Sequence, residues 1–156
     1  MMRSRRGAPD RAHGDENIGD DGRAIVEFIF LGVLLLLPLT YLVLTLARIQ
    51  AATFSASLAG REAGRAFVTG ADDEEARGRA ADAGRIAFSD FGFDEGATLV
   101  VQCDGTPCLR PDGVVTSTAT IEVHLPLVPD VVAGSLPASV SISSTHVAAV
   151  DTYVAR

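Results

Sequence analysis

Lysine is absent from this chain, and all 13 of its basic residues are arginines. That absence reads as a coding bias toward GC-rich codons rather than as chemistry. Cysteine is almost absent, with only Cys103 and Cys108. Four residues separate them, so the Cys-x-x-Cys spacing of a redox site is missing. A zinc site built from Cys103, Cys108, His124 and His146 is disfavoured too. Structural zinc ligands come in pairs two to four residues apart, and these histidines lie far from one another in sequence. No nucleophile–base set, no phosphate-cradling glycine loop before a helix and no ligand cluster is evident. The expectation is a chain that is not an enzyme and holds no cofactor and no metal. Positive charge is short as well. The net charge is -7, and the acidic surplus lies almost wholly beyond Arg48. Nucleic-acid binding needs a basic face, so that partner class is set aside.

What the chain does have is one long apolar run. From Phe28 to Ala47 no residue is charged. That is about the 20 residues an α-helix needs to cross a hydrocarbon core of roughly 30 Å. A single acid, Glu27, stands at its leading edge, and Gly22 lies five residues earlier. Arginines crowd the N-terminal side, at Arg3, Arg5, Arg6 and Arg11, whereas only Arg48 closely follows the run. The positive-inside tendency puts the N-terminus in the cytoplasm and the remainder outside. A secretory signal peptide is a weaker fit. Thr45-Leu46-Ala47 is a passable cleavage site, but the run exceeds the usual apolar core of about 7–15 residues.

The segment Gly22-Arg23-Ala24-Ile25-Val26-Glu27-Phe28, followed by a leucine-rich run with Pro38, resembles the processing site and stem of type IV pilin-like proteins. Within that group it is most similar to the TadE-like minor pseudopilins of tight-adherence pili. The likeness covers about Asp21 to Phe67, including Arg61-Glu62-Ala63-Gly64-Arg65, and more weakly the C-terminal strands. Arg23 departs from the bulky apolar first residue of better-known pilins. The resemblance implies cleavage by a prepilin peptidase between Gly22 and Arg23, with Glu27 fifth in the mature chain. It implies other pilin subunits, the pilus assembly platform and membrane lipid as partners. The implied location is a single pass through the plasma membrane and then, after assembly, a surface pilus. The rival reading is an uncleaved single-pass anchor that displays a small binding domain outside the cell.

Glu27 is the leading candidate residue. A carboxylate in a membrane helix costs on the order of 2.5–3.5 kcal/mol at the centre and less near an edge, and such groups usually have partners. Cutting after Gly22 creates one, the α-amino group of Arg23, which is mostly protonated at neutral pH. Pairing between subunits would set axial register. Desolvation offsets part of that attraction, so the pair would specify more than it stabilises. The bland alternative is an interfacial glutamate reaching headgroup water. Pro38 removes a backbone donor, so it marks either a tolerated kink or a bend used in assembly.

Residues 1–22 read as a polar cytoplasmic leader, with a plain cytoplasmic tail as the alternative. Residues 23–70 read as the membrane helix, about 28–47, and its continuation outside. Beyond Ala47 a stripe of Ile49, Ala52, Ala56, Ala59, Ala63 and Phe67 keeps helical spacing, with Gly60 and Gly64 near it. Such small residues let another backbone approach closely. Residues 71–156 are expected to form a small α+β domain outside the membrane. Asp72 is placed to cap a second helix, whose opening acids Asp73, Glu74 and Glu75 suit its positive end. Ala76, Ala80, Ala83 and Ile86/Ala87 form its apolar side. Phe88, Phe91 and Phe93 belong to a loop whose aromatics plug the core.

Three or four antiparallel strands are expected to follow. Thr98–Gln102 is strand-like. Cys103 and Cys108 flank turn residues and are expected to form a disulfide, which the outside location permits. Val114 to Leu125 alternates, with Val115, Ala119, Ile121, Val123 and Leu125 on one face and Ser117 the exception. Pro126 and Pro129 end it, Val128 to Pro137 reads as a loop, and Ala138 to Val154 as the closing strand. Each histidine is expected to be an exposed strand residue. The fold class is therefore α+β and pilin-like: a long N-terminal transmembrane helix, a short helix and a small antiparallel sheet.

Overall fold

The computed structural model describes residues 18–124 and 139–152. The expected leader up to residue 17, the C-terminal end of the second strand at Leu125, the loop from Val128 to Pro137 and Val154 lie outside the described residues. Helix α1 runs Ile18–Val68 and contains Pro38. Helix α2 runs Asp73–Ser89. Strands β1 (Ala97–Cys103), β2 (Val114–His124) and β3 (Ser139–Ala149) follow. They form one antiparallel sheet in the order β1-β2-β3. The α+β fold with a long apolar N-terminal helix and a second helix is as expected, and the described residues hold three strands where three or four are expected. The chain divides after Thr40 into two units.

Strand β2 organises the second unit. Val115, Ala119, Ile121 and Val123 are fully or almost fully buried, as is Ser117. A period of two puts them all on one face. The opposite face carries Thr116, Thr118 and Thr120, with Glu122 and His124 exposed. Thr118 and Thr145 share a hydroxyl hydrogen bond of 3.1 Å, and Thr120 donates to Ser143 across the same pair of strands.

The second half of α1 packs on the buried face. Ala52, Ala56, Ala59, Ala63 and Phe67 are fully buried, as their spacing requires. Gly64 shows why the stripe is so small. A Cβ there would lie 3.3 Å from His146 Cδ2 and 3.4 Å from Ser117 Oγ. The helix therefore seats directly over β2 and β3.

The residue at the head of α2 caps it. Asp72 accepts from the N–H groups of Glu74 and Glu75, each at 2.9 Å. Ala76, Ala80, Gly84, Ala87 and Phe88 are its buried residues. Ile86, expected on that side, is 53% exposed. Ala87, named with it, takes the inward place at 3% exposed, and Gly84 is inward one turn earlier, where a Cβ would lie 2.7 Å from Leu99 Cδ2. The aromatics do plug the core, with Phe88 and Phe93 buried in one cluster and Phe91 packed against it, but Phe88 belongs to the last turn of α2 and not to the loop.

Candidate functional site

The first half of α1 presents the features singled out in the sequence. Gly22, Arg23 and Glu27 are all exposed on one helix. Arg23 and Glu27 are one turn apart, so they share a side. Beyond them Phe28, Ile29, Phe30 and Leu31 are each more than half exposed, and so are Leu34 to Leu37. The helix is long and apolar enough to cross a membrane, and its most apolar window has no residue buried inside the protein. A soluble protein's core helix would be buried instead. Leucine and other good helix formers keep the run helical through Pro38, although proline removes one donor there.

The uncharged run ends at Arg48, within the second unit. Its guanidinium donates to the Gly92 carbonyl at 3.2 Å. It also lies over the Phe93 ring, 4.2 Å from the centroid. The residue that closes the run is therefore tied to the loop after α2. Sequence inspection places Arg48 only as a flanking charge. Its targets lie some forty residues along the chain, and no local period reveals them.

Cys103 and Cys108 are bonded to each other, with their Cα atoms 5.4 Å apart. The loop they close is held from both sides. The Asp73 carboxylate accepts from the N–H groups of Cys108 and Leu109, at 3.0 and 3.2 Å. Asp104 receives two bonds from the Arg110 guanidinium, at 2.7 and 2.8 Å, and one from the Val114 N–H at 3.0 Å. The Arg110 bonds, aided by that N–H, hold the Asp104 carboxyl below its ordinary value. The same carboxylate raises Arg110 above its own. Asp73 thus does more than favour the start of α2: it docks the disulfide loop onto that helix.

The four cysteine and histidine side chains considered for zinc do not converge. Both sulfurs are used in the disulfide. Cys103 pairs with Val115, whereas His124 lies at the far end of β2. That separation is roughly 30 Å at about 3.3 Å per residue. His124 is exposed as expected, but His146 is not. It is half-buried opposite Ser117, on the face covered by α1. The register decides this, because β3 turns even-numbered residues inward where β2 turns odd-numbered ones. No family model, no curated protein and no solved structure matches this chain.

Proposed function

We propose that this chain is a structural subunit of the TadE-like minor pseudopilin kind, taking part in assembly of a tight-adherence pilus. Its N-terminal segment is removed by a prepilin peptidase between Gly22 and Arg23. The helix beyond holds the subunit in the plasma membrane until assembly. The observation that carries the reading is the bare apolar helix led by a single acid, five residues after a glycine. The disulfide supports an extracytoplasmic place for the second unit, because such bonds persist in oxidising compartments.

In this mechanism the new amine of Arg23 in one subunit answers Glu27 of its neighbour. A lone carboxylate among lipid tails is costly, so the pair forms only at the register that joins the two groups. Other pilin subunits and the assembly platform are the partners. The chain acts by position and performs no chemistry of its own.

Mass measurement on protein extracted from membranes tests the processing step. Loss of residues 1–22 is expected, and an intact N-terminus would favour the uncleaved anchor. Glu27→Gln tests the pairing separately. That variant should be cleaved normally but yield at least tenfold less assembled fibre. Normal assembly would remove the pairing mechanism and leave the cleavage standing.

A further inference from the structure

The sheet stops one strand short of its helical cover. Gly60 and Gly64 place α1 over β2 and β3, near Ser117, Ser144 and His146. Packed helices stand about 8–10 Å apart, roughly two strand spacings of about 4.8 Å. With α1 over β2 and β3, α2 therefore falls over β1 and past it. The side of α2 that overhangs carries Arg77, Ala81 and Arg85 at four-residue spacing. Together with Phe88, Leu99 and Val101 these line a groove of about 560 Å³.

The floor of that groove is an unpaired strand edge. Glu122 N–H donates to the Gly96 carbonyl, and Asp104 N–H to that of Val114. Even-numbered residues of this stretch therefore bond to β2. In an antiparallel ladder the alternate residues point their N–H and C=O groups the other way. Those residues are Ala97, Leu99, Val101 and Cys103, and among the described residues nothing bonds their backbone groups. Natural edges are usually blunted by charge, proline or a bulge. Strand β1 carries neither a charge nor a proline.

We propose that this groove receives one extended segment of a partner protein, added as a fourth strand beside β1. A second copy of this chain is sterically unsuitable. Pairing β1 with its twofold mate would bring both α2 helices over the same strands, closer than helix packing allows. A bare strand with no helix above it fits. Its inward side chains meet Leu99, Val101, Ala81 and Phe88, so they are apolar. Its ends meet Arg77 and Arg85. Among the described residues Arg85 is held by an exposed contact to Asp82 at 3.3 Å, Arg77 donates to the uncharged Asp73 carbonyl and Cys108 sulfur at 3.3 and 3.7 Å, and Asp94 lines the same groove. Two guanidiniums against one carboxylate in the lining favour acidic flanks on the guest. Main-chain bonds would supply affinity and the alternate side chains specificity. This inference does not depend on cleavage after Gly22 or on the role of Glu27.

Amide exchange, followed by NMR on the full chain in detergent micelles, tests it. The probe is a synthetic nonapeptide that alternates valine and threonine and carries glutamate at both ends. Its lysine-ended counterpart is the control. The amides of Ala97, Leu99, Val101 and Cys103 should exchange freely in the protein alone. The glutamate-ended peptide should slow them at least tenfold, and the lysine-ended peptide should not. An Arg77→Glu and Arg85→Glu double variant, checked for folding by circular dichroism, should reverse that preference. Equal action of both peptides, or no protection by either at millimolar concentration, would overturn the proposal. So would four amides already slow in the protein alone. Dilution would then assign the occupant, since concentration-dependent protection means a second copy and constant protection means the chain's own residues.

Discussion

Two stretches of α1 obey opposite rules. Ile25 to Leu39 carries large side chains, among them Phe28, Leu35 and Leu37, and leaves them exposed. The inward side of Ala52 to Phe67 is mostly small, with Ala52, Ala56, Ala59 and Ala63 all buried and Phe67 closing the row. Both are α-helical, so secondary structure does not separate them. Side-chain size does. Large apolar groups all round a helix ask for an apolar solvent, whereas alanine and glycine on one side ask for a close-packed neighbour. Hydrophobicity names what a helix avoids; bulk names what it meets.

The largest test of the contrast is Phe67→Ala. Phe67 is the bulkiest fully buried side chain of the second stretch, and its loss should cost about 3–5 kcal/mol. Denaturant titration in detergent would measure this, and a cost under about 1 kcal/mol would break the comparison. A sharper test swaps sizes between the stretches. Ala59→Leu should destabilise by about 1–3 kcal/mol through overpacking. Leu35→Ala should change the stability of the second unit by less than about 0.5 kcal/mol. Equal effects would show that size does not distinguish the two.

The smallest effect concerns acid. An aspartate held below its ordinary value stabilises the fold at every pH above that value. The contribution fades as pH falls from the ordinary aspartate range toward the lower folded value. Asp104 is such a group. Replacing it with Asn should flatten the acid side of the melting-temperature profile. The raised Arg110 acts only at extreme alkaline pH. A profile left unchanged by that substitution would remove Asp104 from the acid dependence.

Local signals made much of this fold legible. The Asp72 cap, the alanine stripe and the alternation of β2 each follow from spacing over a few residues, and each stands where spacing puts it. The disulfide was legible from turn residues between two cysteines. What escaped depends on partners distant in sequence. Gly84 is inward on α2 because Leu99 approaches too closely for a Cβ. His146 turned inward because of its register with Ser117. Asp73 and Arg48 reach groups more than thirty residues away. The groove beside β1 was invisible for the same reason, since it arises from where two helices sit on three strands. For Glu27, spacing and charge were legible, whereas the partner proposed for it belongs to another molecule.

The contact between Arg48 and the Gly92–Phe93 loop has a mechanical consequence. A pull on α1 toward its N-terminus loads that contact lengthwise, ahead of the alanine seam behind it. Tension then enters the loop and the end of α2, to which Gly92 and Phe93 are bonded through Ser89 and Phe88. The helix resists as a glued lap joint does, and peeling turn by turn is denied its starting point.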